Sequence, residues 1–407
     1  MTYSKPLITI SAEPVWWTLL LALFLIPFSM AACSILFSLS LAVLLYAVLR
    51  GEPLARPPAY VFWLAAYAAL TLISTAFSRS PLSSLTDNRE LLVFLLIPVF
   101  QKIINTPRRL RTGLAAVLIS AALSAAIGIA TAAISGISLD HRIRGFTSHW
   151  MTWSGLLMMV FVFFTVWITQ THELRPPRLY AHAAALVLIL AAILFSLTRS
   201  MWVGLAVSLG FYIIVKRPKV LWGIIPLIVV TWFLLPQSVS NRVRSVLDPS
   251  DPTNRDRIHM VYTGWRIFLD HPLAGSGPNT IKALYPQYRH PDTDQDNPHL
   301  HNNFLQILAE RGLPAAFVLL CFFISLLLSL HKCRQKDNPL QRHVAAGAFF
   351  MVIAFLVAGM FEYNWGDTEI QFLFLFLITL PSTTAWDPDA PAPSQLRSSH
   401  DLTQASG

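Results

Sequence analysis

Charge is scarce in this chain. Only 13% of its 407 residues are Asp, Glu, Lys or Arg, while 55% are hydrophobic; a soluble globular domain carries about 25% charged residues. That deficit excludes a water-covered soluble fold. Cysteine is scarcer still. Cys33, Cys321 and Cys333 fall in two apolar runs and one short polar segment, which excludes a disulfide framework or a cysteine metal cluster. There is no repeat of fixed period and no similarity between halves of the kind a duplicated transporter shows. A Gly-Lys-Ser/Thr phosphate loop, a serine nucleophile elbow and a His-Glu-x-x-His motif are all missing, so ATP-driven transport and zinc proteolysis have no support. With no basic domain, nothing suggests nucleic acid as a partner.

What the chain does have is long apolar runs, each close to the length needed to cross a hydrocarbon core of roughly 30 Å as a helix. Twelve candidates can be read: Val15–Ala31, Ser34–Leu49, Ala59–Phe77, Leu91–Ile104, Gly113–Ile137, Trp150–Thr169, Ala183–Leu197, Met201–Val215, Val220–Leu235, Leu313–Leu330, Val344–Phe361 and Thr368–Trp386. The expectation is an all-α integral membrane protein of about twelve transmembrane helices. Nine lie in residues 1–235 and three in 312–386, around one large, partly helical loop at 236–311. Residues 387–407 are polar and Pro-rich and are expected to be a disordered cytoplasmic tail. The first run ends in Met30-Ala31-Ala32-Cys33, which has the look of a lipoprotein cleavage site. Only Lys5 precedes it, Glu13 offsets that charge and another apolar run follows at once, so the segment reads as retained.

Lys and Arg of the short connections sort by side. With the N-terminus in the cytoplasm, inside segments hold seventeen of the 30 basic residues and outside short loops five, Arg79, Arg89, Arg142, Arg144 and Arg199. This bias puts the 236–311 loop outside, on the periplasmic face if the membrane is a bacterial inner membrane. The net charge of +9 is thus mostly topology.

The large loop is where polar chemistry concentrates. Helical periodicity is expected over Asn254–Asp270, with Ile258, Val261, Tyr262, Trp265, Ile267 and Phe268 sharing a face, a stop at His271-Pro272 and a turn at Gly275-Ser276-Gly277-Pro278. A second helix should begin near Asn302 or Asn303, both good N-caps, leaving His301 at its edge. His299 and His301 admit three readings: a metal pair, weak without a third ligand at metal spacing; a structural histidine; or a general acid or base, because imidazole titrates near neutral pH. Arg199, in the tight Thr198-Arg199-Ser200 connection, either snorkels to headgroups or presents a planar fork to a phosphate or pyrophosphate. Arg255, Arg257 and Arg266 either pair with Asp251, Asp256 or Asp270 on a solvated helix or bind the same anion. Arg142, Arg144, Glu362, Asp367 and Glu369 lie on the same expected face.

Three short motifs then carry a resemblance. His301-Asn302-Asn303-Phe304-Leu305-Gln306 through Glu310-Arg311-Gly312, the stretch from Arg257 to Asp270-His271-Pro272-Leu273-Ala274-Gly275-Ser276-Gly277, and Ser196-Leu197-Thr198-Arg199-Ser200 resemble the elements of the O-antigen ligase and polymerase family of bacterial membrane glycosyltransferases. The resemblance covers about residues 190–330 and is closest to the ligases. It implies an undecaprenyl pyrophosphate-linked glycan as donor at the periplasmic face of the inner membrane. The implied acceptor is a sugar hydroxyl of lipid A-core, or a growing glycan in a polymerase. Neither metal nor other cofactor is implied. His301 would activate or orient the acceptor, with Asn302 beside it, and Arg199 and Arg257 would hold the pyrophosphate as it leaves. His299 competes with His301, and Arg255 with Arg257; His301 is preferred because Asn302 follows it, Arg257 for its distance to Pro272. Glu362 or Asp367 could supply a supporting carboxylate. A lipid-linked glycan flippase is the rival of another class, but it predicts ionisable groups within the spans, which are nearly free of them.

Overall fold

The long apolar runs fold as helices, which satisfy every backbone group within one segment and so suit hydrocarbon. The computed structural model describes residues 12–136, 142–171, 175–220, 222, 233, 237–383 and 386, and among them there is no β-strand. In chain order the α-helices are α1 (Ala12–Leu25), α2 (Met30–Leu49), α3 (Ala59–Ala76), α4 (Pro81–Asp87), α5 (Leu96–Ile103), α6 (Pro107–Ser135), α7 (Trp150–Gln170), α8 (Pro176–Phe195) and α9 (Arg199–Lys216). They continue as α10 (Gln237–Arg244), α11 (Pro252–Asp270), α12 (Ile281–Tyr288), α13 (Asn303–Cys333), α14 (Pro339–Ala358) and α15 (Thr368–Thr379). Eight described helices, α2, α3, α6, α7, α8, α9, α13 and α14, are long and apolar enough to cross a membrane, and Glu13–Leu25 and Thr368–Ser382 form shorter apolar helices. The chain is an all-α, multi-pass membrane protein. The expected ninth span, Val220–Leu235, and the 387–407 tail lie outside the described residues apart from residues 220, 222 and 233.

The expected span at Leu91–Ile104 takes a broken form. A 3₁₀ stretch, Asn88–Leu95, precedes α5. Pro98 has no N–H to give to the carbonyl of Phe94, so a regular α-helix cannot run through this point. Eight residues at about 2.0 Å and eight at about 1.5 Å still extend roughly 28 Å, close to the hydrocarbon thickness.

Helix starts follow their sequence signals. Asp251 caps α11 by accepting from the Thr253 and Asn254 amides with Pro252 at the first position, and Asn302 caps α13 by accepting from Leu305 N at 3.0 Å. The shared apolar face expected on α11 is present for Ile258, Val261, Tyr262 and Trp265, and Ile267 departs from it. Met260, Thr263, Gly264 and Ile267 are buried, whereas Ile258, Val261, Tyr262 and Trp265 are exposed. The helix is buried by its narrower, smaller-residue stripe, and its bulky apolar residues face outward, as suits an element at a lipid boundary.

One junction fixes this loop to the bundle. α13 breaks at Gly312, whose φ of 77° lies in the left-handed region that only glycine enters freely. Pro314 follows and can donate no N–H, and Leu313 N turns to Pro272 O at 2.8 Å. The carbonyls of Ala309 and Glu310, released from the helix, accept instead from Ser276 N at 3.0 Å and Gly277 N at 2.9 Å, with Ser74 Oγ adding a 2.9 Å bond to Glu310 O. A side chain at Gly275 would collide with the Glu310 carbonyl. The Pro-Leu-Ala-Gly-Ser-Gly turn is therefore a plug for a broken membrane helix.

Beside the break, Arg311 is fully buried among carboxylates: Glu90 at 2.6 Å, Glu310 at 3.0 Å and Asp87 at 3.7 Å. Removing one partner of a buried ion pair strands the others without compensation and costs about 3–5 kcal/mol. Arg311→Ala should therefore lower the thermal midpoint of the detergent-solubilised protein sharply; an unchanged midpoint would show that this cluster does not hold the 3₁₀ stretch to α13.

Candidate active site at the loop end of the bundle

α9 and α13 begin, and α14 ends, at the same end of the bundle, and the loop folds over them. Two cavities open there. One, of about 580 Å³, is lined mainly by apolar residues together with Arg199, Ser200, Arg257, His301 and Asn302. The other, of about 380 Å³, is polar and is lined by Glu362, His299, Asp367 and further carboxylates. The wall between them contains the candidate chemistry.

His301 precedes the cap of α13 with φ 45°, a left-handed conformation that costs a non-glycine residue on the order of 1–3 kcal/mol. Its neighbours hold it there. Leu300 N donates to Gln306 Oε1 at 2.8 Å, Asn302 Nδ2 to Met360 O at 2.9 Å and Asn303 N to Gly359 O at 2.7 Å. This backbone aims the imidazole at Glu362, and Nδ1 lies 2.9 Å from Glu362 Oε1. Burial resists ionisation of Glu362, but the hydrogen bond and charge of His301, with His299 and Arg257 nearby, bring its carboxyl below the usual range. The ionised carboxylate accepts from Nδ1–H, which leaves the Nε2 lone pair of His301 for another proton.

His299 is the second imidazole of this cluster. Its Nε2 lies 3.8 Å from the same carboxylate oxygen, and burial together with His301 pushes its pKa down to about 4. The ligand atoms of His299, His301 and Glu362 fall within 4.8 Å of one another. The third donor absent from the local sequence is thus supplied from 61 residues away, and these three residues could hold a metal ion. The 2.9 Å contact from His301 to Glu362 also matches a direct histidine–carboxylate hydrogen bond.

Arg199 is the first residue of α9 and is buried. It does not snorkel. Nη1 donates to Ser245 O at 2.6 Å and Ser245 Oγ at 2.8 Å, and Nη2 donates to Asn254 Oδ1 at 2.8 Å and Asp251 Oδ1 at 3.2 Å. Arg242, which the sequence reading did not single out, lies 3.8 Å from Asp251 and donates to Leu197 O at 3.5 Å; burial and the charge of Arg199 bring it down to about 10. Among the described residues Arg257 has no hydrogen bond or ion pair, and burial lowers its pKa. Ser200 Oγ, also on the apolar cavity, is buried without a partner among them. Arg199 and Arg242 share Asp251, and Asp248 also lines the cavity, but Arg257 keeps its donors uncommitted among the described residues, where an anion could take them.

The remaining sequence candidates separate. Arg255 is exposed and lines neither cavity. Arg142 stacks over the Trp150 ring at 4.9 Å, and Arg144 is exposed, reaching Ser148 O at 3.4 Å. Asp367 lines the polar cavity and accepts from Thr152 Oγ1 at 2.9 Å, and burial pushes its carboxyl up to about 8. Glu369, inside α15, is buried and lines neither cavity. Ser245 and Asn254 are functional partners that sequence reasoning missed, and Asp251, expected to pair with Arg255, Arg257 or Arg266, binds Arg199 and Arg242 instead. The one signal was Asp251 before Pro252, legible as a cap but not as a partner of Arg199.

Because its folded pKa is depressed, His299 gives up a proton that an unfolded chain retains between about pH 6.5 and 4; its neutral form is the native one through that window, and acidification across it works against the fold. In ¹⁵N-histidine spectra His299 should keep neutral-imidazole shifts down to about pH 4. A midpoint near 6.5 would mean that the residue is not desolvated as described.

No curated protein matches this chain. Residues 184–320, which include Arg199, Arg257, His301 and the broken start of α13, match the family model described as O-antigen ligase. That match falls on the motifs that build this site and supports, for about a third of the chain, the resemblance to the O-antigen ligase and polymerase family.

Proposed function

We propose that the protein is an O-antigen ligase. In this reading it moves a glycan from undecaprenyl pyrophosphate to a sugar hydroxyl of lipid A-core at the periplasmic face of the bacterial inner membrane. The observation that carries the reading is the pairing of an unpartnered Arg257 with His301 on one apolar cavity. A polyprenyl chain suits the apolar lining and the outward Ile258 and Val261 of α11. The pyrophosphate suits Arg257, Ser200 and the positive field of Arg199 and Arg242.

The chemistry follows from the cluster. An acceptor oxygen attacks the anomeric carbon and gives its proton to His301 Nε2. The carbon–oxygen bond to the pyrophosphate breaks, and the electron pair leaves on the phosphate. Glu362 stabilises the imidazolium that forms. Arg257 stabilises charge that grows only as the bond breaks, which favours the transition state over the ground state. Arg199, whose donors are engaged by Ser245, Asp251 and Asn254, both contributes charge and ties the start of α9 to the loop. The scarcity of Lys and Arg in short connections at this end of the bundle supports its periplasmic orientation.

The test is glycan transfer by purified protein in nanodiscs with lipid-pyrophosphate-linked glycan and lipid A-core. His301→Ala and Arg257→Ala should each lower kcat by at least a hundredfold at normal expression, and Glu362→Gln by at least tenfold. His301→Ala transferring at the wild-type rate would remove the assigned chemistry. Elongation of the carrier-linked glycan with no transfer to lipid A-core would make the protein a polymerase.

A further inference from the structure

We propose that the polar cavity is the acceptor site, that it binds an uncharged, hydroxyl-rich sugar, and that it discriminates against phosphorylated ones. The proposal rests on the glycosyl-transfer reading and adds to it the class of acceptor and the residues that select it.

The placement comes first. The polar cavity of about 380 Å³ includes Glu362 and His299 in its lining, and the apolar cavity includes His301. The 2.9 Å bond from His301 to Glu362 therefore crosses the wall between them. A hydroxyl in the polar cavity meets Glu362 and His299 on the side of this wall away from the apolar cavity.

The lining decides the ligand. Asp87, Glu90, Glu310, Glu362 and Asp367 face this cavity, and among the described residues neither lysine nor arginine is in its lining. Arg311 lies behind Glu90 and Glu310, fully buried and already bound by both. A phosphate here would meet the ionised Glu362 and, among the described residues, no free cation. A sugar hydroxyl, which both donates and accepts, would find partners. Glu362 Oε2 and Glu310 Oε1 are buried acceptors without a partner among the described residues, and buried carboxylate oxygens left unpaired cost on the order of 1–3 kcal/mol each. Thr152 supplies a hydroxyl, bonded at 2.9 Å to Asp367, and Tyr363 an aromatic face on which a sugar ring can lie. Asp367, pushed up by burial to about 8, can donate where Glu362 accepts, so the wall offers both halves of a hydroxyl's hydrogen-bonding needs.

Two measurements on full-length protein in nanodiscs test this. In the first, binding of core oligosaccharide, dephosphorylated or phosphorylated, is followed by saturation-transfer NMR. The dephosphorylated form should bind at least tenfold more tightly, Thr152→Val and Asp367→Asn should each weaken it at least fivefold, and Thr152→Ser should retain it. In the second, transfer kinetics should show the acceptor KM rising at least fivefold in Thr152→Val and Asp367→Asn while the donor KM changes less than twofold. Equal binding of the two oligosaccharides, unaltered binding in both variants, or a shift in donor KM instead would overturn the proposal. So would calorimetric binding of Ca²⁺ alone that Asp367→Asn abolishes and that displaces the oligosaccharide, since the cavity would then be a cation site. If wild-type protein transfers no glycan but binds the uncharged oligosaccharide as stated, the transfer reading fails and the cavity assignment stands on the first measurement.

Discussion

A membrane helix cannot leave its carbonyls unpaired, and α13 breaks at Gly312 all the same. The rest of the site depends on how that break is satisfied. Each exposed backbone group would cost several kcal/mol in hydrocarbon, so Ala309 and Glu310 must find donors. Ser276 and Gly277 provide them. This docks the loop at a single register, because the Gly275 backbone and the Glu310 carbonyl meet too closely for any side chain to intervene. α11 ends at Asp270, immediately before the docked turn, and His301 stands at the start of the docked helix. The position of Arg257 relative to His301 is therefore set by backbone bonds at the break together with the packing of Leu300 and Leu305 against Gly264 of α11. Arg311 completes the junction from inside, drawing Glu90 of the 3₁₀ stretch against α13.

Much of this architecture could be read from residue order. The apolar runs announced helices, Asn302 announced a cap, and Pro272 with the glycines announced a turn, because each signal acts within a few residues. Signals that act across the fold could not be read. Glu362 was one of three carboxylates that followed the eleventh run; only the packing of α14 against the start of α13 distinguishes it from Asp367 and Glu369. Arg199 offered two roles, headgroup or anion, and the structure gives its Nη donors to a loop 46–55 residues away. The covering of the apolar side of α11 could not be read for a different reason. Periodicity identifies an apolar face but cannot say whether protein or lipid covers it, and in a membrane protein both are apolar.

Charge is arranged in two compartments. Arg199, Arg242 and Arg257 gather beside the apolar cavity, while carboxylates gather around the polar one, and the histidine pair stands between. In a medium of low polarity such separation is costly unless each group has a counterpart. Arg199 and Arg242 share Asp251, and Arg311 shares Glu90 and Glu310. Arg257 is left over on one side, and one oxygen each of Glu362 and Glu310 on the other. On the proposed glycosyl-transfer reading, these open groups are where an anionic leaving group and a hydroxyl acceptor would bind.

The strained backbone at His301 is explained by the same geometry. The left-handed φ of 45° turns the imidazole across the gap to Glu362 while the neighbouring amides remain bonded to Gln306 and Gly359. The strain, on the order of 1–3 kcal/mol, is offset by those backbone bonds and by a charge-assisted hydrogen bond whose strength rises with burial. Holding Nδ1 to a carboxylate fixes which nitrogen is free, and it does so before any substrate arrives. Preorganisation of this kind is needed when a proton must leave a weakly acidic sugar hydroxyl, since a freely rotating imidazole would spend most of its time in the wrong tautomer or direction.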